Sequence, residues 1–139
     1  MEIAALIAWL LTAAGGFVLL ATWIAKGGHR PDAPRPSRFP PALIFGHFLL
    51  AAAGLVLWIV YVAADSDGLG WVAFASVAVA ALLGFGMLFR WLPQVRHRAA
   101  PSADATATAE AQFPVPVVVV HGLLGATTLV LVLLAAMNA

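Results

Sequence analysis

Four apolar runs, each long enough to cross a bilayer and nearly free of charge, leave this chain few folds to choose from. They are roughly Ile3 to Ala25, Pro40 to Ala64, Gly70 to Leu92 and Pro114 to Met137. Lys, Arg, Asp and Glu are absent from all four except for Arg90, near the end of the third. About 20 apolar residues cross a hydrocarbon core of about 30 Å as a helix. Lipid offers no hydrogen-bond partner to an open strand edge, so these spans must be helical. Charged residues make up 9% of the 139 residues and apolar ones 63%, against about 25% charged in a soluble domain. So much exposed Leu, Val and Ala needs a solvent that does not penalise it. The expectation is one integral membrane domain over 1–139, an all-α, four-helix transmembrane bundle. Only Glu2 precedes the first run, and no small-x-small cleavage pattern follows it, so it reads as a retained helix and not a signal peptide.

The connecting segments carry their own signals. Gly27-Gly28 is expected to end the first helix, and Pro31, Pro34, Pro36, Pro40 and Pro41 to keep the chain extended until the second. Asp65-Ser66-Asp67-Gly68 predicts a short turn, and Pro93 the end of the third helix. Residues 99–112, AAPSADATATAEAQ, are low in complexity and expected to be mobile.

All seven basic residues flank the membrane at one end: Lys26, Arg30, Arg35 and Arg38 between the first two helices, and Arg90, Arg96 and Arg98 around the end of the third. The second loop holds only Asp65 and Asp67. The positive-inside rule places loops 26–39 and 93–113 in the cytoplasm and both termini outside, in a multi-pass protein of the plasma membrane. Trp23 and Trp91 are expected in the inner aromatic belt, Tyr61 and Trp71 in the outer one. Membrane flanking accounts for the basic residues, so nothing indicates nucleic-acid binding. The chain has no cysteine, which excludes disulfides, thiolate metal sites, iron–sulfur clusters and thiol-oxidising chemistry.

The two halves repeat. FPPALIFGHFLLAAAGLVL, from Phe39, aligns with FPVPVVVVHGLLGATTLVL, from Phe113, so that Phe-Pro, the histidines His47 and His121, and Leu-Val-Leu coincide. Trp23 leads to His29-Arg30 with the same spacing as Trp91 to His97-Arg98. Aliphatic matches are expected of any two membrane helices, but Phe-Pro, Trp and His in register are not. The reading is two similar helical hairpins, related by an axis along the membrane normal. His47 and His121 then share one depth, about 10 Å in at about 1.5 Å per residue.

Ionisable residues at that depth mark function by default. Ala51 and Gly54 follow His47, and Gly125 and Thr128 follow His121, at i+4 and i+7. Each imidazole thus heads a lane of small residues that suits close helix packing or a flat ligand. The sharpest reading is one b-type haem with His47 and His121 as axial ligands in an apolar wall. Arg30, Arg35, Arg38, Arg96 and Arg98 lie at the same end to pair the propionates. The structural alternative is that each histidine bonds a neighbouring backbone carbonyl, Thr127 or Thr128 and merely joins helices. Zinc or copper would need a third protein ligand, and none lies at that depth. His29 and His97 are expected at the headgroups. Gly15-Gly16 and Gly84-x-Gly86 suit close helix contact, with helix breaks as the alternative.

With its two histidines and its helix count, the chain resembles the four-helix membrane domains of b-type cytochromes. The resemblance implies at most one haem, because the second ligand pair that those families often carry is missing. It also implies electron transfer between a quinol and another carrier, as in a respiratory chain. The competing reading is a non-catalytic accessory or assembly subunit that packs against partner membrane subunits. Neither reading calls for an enzymatic activity of the chain by itself. No intramembrane carboxylate is present to drive a small proton-coupled exporter.

Overall fold

A computed structural model of the chain describes residues 1–33, 37–64, 67–98 and 108–138. Its helices are α1 (Glu2–Ala25), α2 (Pro41–Ala64), α3 (Asp67–Arg98) and α4 (Val115–Met137), with a single 3-10 turn, Glu110–Gln112, before α4. All four are long and apolar enough to cross a membrane. The protein is an all-α, four-helix membrane bundle. α1, α2 and α4 have 24, 24 and 23 residues, or about 35 Å each. α3 has 32 residues and, at about 48 Å, outruns the hydrocarbon core.

The glycines end α1 as expected. Gly28 N–H donates to Trp23 O at 2.9 Å and Gly27 N–H to Ile24 O at 3.0 Å. Gly27 sits at φ +76°, where a Cβ is strained. The following segment is not extended throughout, because turn hydrogen bonds join Arg30 N to Gly27 O and Ala33 N to Arg30 O. Pro34 and Pro36 lie outside the described residues. Asp67 already belongs to α3, and Asp65 and Ser66 lie outside the described residues.

Pro93 does not end α3. It lies on an exposed side close to the helix end, where the missing N–H deprives only one carbonyl of its donor. Contacts on both sides hold the helix past it. Trp91 Nε1–H donates to Glu110 O at 2.9 Å, Gln94 Nε2–H to Arg90 O at 3.1 Å, and Thr108 Oγ1–H to Gln94 Oε1 at 2.5 Å. The segment 99–112, expected to be mobile, also needs correction at its end. Residues 99–107 lie outside the described set, but Thr108 to Gln112 packs onto the bundle, with Ala109, Glu110 and Ala111 buried.

The aromatic belts need correction as well. Trp23, Trp91 and Tyr61 lie at helix ends but point inward and are buried. Of the four belt candidates, Trp71 alone is exposed, at 47%. At the end opposite the arginines, Tyr61 Oη–H donates to Glu2 Oε1 at 2.9 Å and Trp58 Nε1–H to Glu2 O at 3.3 Å. Ala5, Trp9, Ala73, Val77 and Val132 complete this helix-borne core.

The hairpin is the unit of sequence but not of packing. α1 packs most extensively on α4, and α2 on α3, while the hairpin partners touch less. Among the described residues the backbones of α1 and α3 stay apart, as do those of α2 and α4, so these pairs are diagonal. Ser76 Oγ–H of α3 donates to Leu50 O of α2 at 2.8 Å, and the hydroxyls of Thr12 on α1 and Thr128 on α4 meet at 3.1 Å. Two layers, α1/α4 and α2/α3, therefore each combine the first helix of one repeat with the second helix of the other.

Candidate functional site

His47 and His121 come together at the centre of the bundle, from the diagonal helices α2 and α4. Their ring centres are 6.2 Å apart and their planes stand at 72°. Each ring is fixed within its own layer. His47 Nδ1–H donates to Ala80 O of α3 at 2.8 Å, and His121 Nδ1–H to Thr12 O of α1 at 2.9 Å. Thr12 and Ala80 are equivalent positions of the repeat. A carbonyl only accepts, so the proton sits on Nδ1 and a neutral ring keeps its lone pair on Nε2. Among the described residues nothing is hydrogen-bonded to either Nε2.

Glycines make room for both rings. A Cβ on Gly16 would lie 3.1 Å from His121 Cε1, and one on Gly84 would lie 3.1 Å from His47 Cε1. Gly15 backs the His121 Cβ in the same way at 3.4 Å. These glycines seat the imidazoles; α1 and α3 run through them unbroken. Thr127 and Thr128 are not the histidines' partners, since their hydroxyls donate to Leu123 O and Leu124 O of their own helix.

A cavity of about 290 Å³ contains the pair. It runs from Trp9 to the level of Trp23 and Trp91, roughly 20 Å along α1 at about 1.5 Å per residue. Ala51 and Gly125 of the small-residue lanes line it. Thr128 lines it too and meets Thr12, while Gly54 serves helix packing: a Cβ on it would lie 3.0 Å from the Trp9 ring. No charged side chain of the described residues lines the cavity. No three His, Cys, Asp or Glu side chains among them converge on a metal site either.

The chain matches no protein-family model, no curated protein and no solved structure.

The sequence-derived arginines divide from the histidines. Arg30, Arg38 and Arg96 are exposed at the basic end and do not reach the cavity wall. Arg35 and the Arg98 side chain lie outside the described residues. His29 is exposed, its ring edge-on to Trp23 at 6.3 Å; the His97 side chain lies outside the described residues.

Sequence reasoning missed the knot that closes the basic end. Glu110 is fully buried, 0% exposed. Its Oε1 accepts the Arg38 backbone N–H at 2.7 Å and its Oε2 accepts the Ser37 hydroxyl at 2.9 Å. Ser37 Oγ in turn accepts Trp23 Nε1–H at 2.9 Å and Phe39 N–H at 3.0 Å. Those two donors fill the hydroxyl's lone pairs, and its one proton faces two acceptors, the carboxylate at 2.9 Å and Phe39 O at 3.2 Å. Trp91 Nε1–H holds the Glu110 carbonyl. The two tryptophans that wall the cavity are thus tied to one another through Glu110. A lone glutamate just before Phe-Pro, in a stretch of Ala and Thr, was the one available signal.

Proposed function

We propose that this membrane protein holds one b-type haem between His47 and His121, and carries electrons through it within a respiratory-type membrane complex. The observation that carries the reading is the separation of the rings. Two imidazoles on opposite faces of one metal ion have ring centres roughly 6 Å apart, given metal–nitrogen bonds of about 2 Å; these stand at 6.2 Å. Two protein nitrogens would hold an iron here only if it came within a macrocycle. When bound, the haem iron supplies one-electron redox chemistry.

The chain's own residues have distinct parts in this reading. His47 and His121 ligate through Nε2. The carbonyls of Ala80 and Thr12 fix the tautomer and orientation of the rings and raise their basicity. Arg30, Arg35, Arg38, Arg96 and Arg98 supply cations for the propionates, and Arg38 is favoured because it precedes Phe39, which lines the cavity. A quinol or a partner subunit is the electron source.

Titrating haem into the detergent-solubilised chain tests this. The expected result is saturation at about one haem per chain, with the spectrum of a six-coordinate, low-spin iron. No change in the haem spectrum returns the protein to the accessory-subunit reading. Gly16→Leu and Gly84→Leu should each weaken binding by about tenfold or more, because the side chain displaces the imidazole from its carbonyl, while far-UV circular dichroism stays unchanged.

The orientation belongs to the same proposal: the basic end faces the cytoplasm and the end carrying Glu2 and Asn138 faces outward. The chain has no cysteine, so single cysteines report cleanly. Asn138→Cys should react with an impermeant maleimide on intact cells and Arg96→Cys only after permeabilisation. The reverse pattern overturns the orientation.

A further inference from the structure

We infer that the haem reaches its cavity sideways from the lipid, through the seam between α3 and α4 beside His121. The inference rests on the haem reading and adds a route to it.

The cavity extends to the outer surface of the bundle at both hairpin seams. Phe17 on α1 and Phe85 on α3, equivalent positions of the repeat, both line it and are exposed, at 57% and 46%. At the α1–α2 seam Phe17 meets Phe48, the residue after His47, edge-on with ring centres 5.6 Å apart and planes at 69°. That aromatic pair shuts the seam. At the α3–α4 seam the place of Phe48 is taken by Gly122, the residue after His121. Gly122 is exposed and lines the cavity, and a Cβ on it would meet nothing within 4 Å. Phe85 forms no ring pair among the described residues. Ala126, one turn beyond Gly122, is likewise exposed and lines the cavity. Beside the histidines the two-fold pattern is thus broken, Phe48 against Gly122, and the break leaves one seam open.

The other ways in are obstructed. The end opposite the arginines is filled by the helix-borne core around Trp9, Trp58 and Tyr61. The basic end is tied by Glu110, Ser37 and the two tryptophans. The α1/α4 and α2/α3 faces are the most closely packed. A flat, apolar macrocycle dissolved in the bilayer meets the remaining seam without leaving the hydrocarbon.

A window changes the rates of loading and release together and leaves affinity alone, whereas a binding contact changes affinity. Gly122→Phe rebuilds the aromatic pair of the other seam, where the bundle already accommodates Phe48 beside His47. Haem loading into the detergent-solubilised full chain and release to an apoprotein scavenger are followed by absorbance. Gly122→Phe is expected to slow both by about tenfold or more, with Kd within about twofold of the original. Adding Phe48→Gly opens the opposite seam and restores both rates. Should Gly122→Phe fail to insert, Phe85→Ala decides, since it widens the same seam and accelerates both rates. Unchanged rates in either variant overturn the inference, as does a change in one rate alone with a matching change in Kd. Faster loading in Glu110→Gln with no effect of Gly122→Phe moves the route to the basic end. A chain that takes up no haem at any concentration fails differently, and removes the haem reading together with the route.

Discussion

His47→Ala and His121→Ala should each yield a folded membrane protein without the six-coordinate, low-spin haem proposed for the unsubstituted chain. Each substitution removes one nitrogen ligand, and no second imidazole replaces it: the threonine hydroxyls on α4 donate to their own helix, and the thioether of Met87, also on the cavity wall, packs against the cluster of Trp23, Phe39 and Trp91. Loss of a second-shell partner alone typically costs 10–100-fold in metal affinity. Loss of the ligand itself should cost on the order of 100-fold or more, with the remaining histidine leaving a five-coordinate iron. The fold survives because each ring contributes a single hydrogen bond to helix packing, about 0.6 kcal/mol on average inside a membrane. Absorbance titration beside circular dichroism separates the two effects. If the histidines only join helices, both variants lose a little stability, and the unsubstituted chain shows no haem spectrum to lose.

Glu110→Ala should be the most damaging substitution outside the membrane span, lowering unfolding free energy by about 2–4 kcal/mol. The carboxylate is fully buried and accepts two hydrogen bonds. Bonds to a charged group contribute about 1.5–3 kcal/mol each, and a buried donor left unpaired costs about 1–3 kcal/mol. Alanine leaves the Arg38 amide without an acceptor and the Ser37 hydroxyl with only Phe39 O, at 3.2 Å, and loosens Ser37's hold on Trp23. Some of the cost is recovered as water reaches the loop, which keeps the estimate below the sum. Glu110→Gln retains one acceptor oxygen but turns an amide N–H₂ toward a donor, so it should fall between the two. Denaturant unfolding in detergent, read by tryptophan fluorescence, measures the series. A loss under about 0.5 kcal/mol for Glu110→Ala, typical of a surface position, would mean that the knot does not hold this end together.

The helices were legible because a bilayer demands about 20 apolar residues per span; the four runs match the observed helices closely at every end except that of α3, which continues past Leu92 to Arg98. The depth and register of His47 and His121 were legible for a similar reason: the Phe-Pro starts align the two helices, and rise per residue converts alignment to depth. Their facing one another was not. Apolar helices carry little periodicity, so rotation is set by packing, here by Gly16 and Gly84 admitting the rings and by Thr12 and Ala80 offering carbonyls. A backbone carbonyl has no sequence signature, which hid both acceptors. The cross-packing of α1 on α4 and α2 on α3 was hidden too, since adjacency in sequence favours the hairpin. Pro93 misled because its rule describes a free helix, whereas Trp91 and Gln94 hold α3 on either side of it. Trp23, Trp91 and Tyr61 misled because an aromatic residue at a helix end satisfies both a lipid belt and an inward hydrogen bond. Only the positions of Ser37, Glu110 and Glu2 distinguish the two.

The central claim is that one imidazole from each repeat meets the other across a single haem. Its most direct measurement is the reduced-minus-oxidised absorbance spectrum of the protein purified in mild detergent from haem-replete cells, with haem and protein quantified on the same sample. A haem held between the two repeats gives a coloured protein with about one haem per chain, a sharp low-spin spectrum on reduction, and loss of both in His47→Ala and His121→Ala. A colourless protein, or a bound haem that survives both substitutions unchanged, would contradict it.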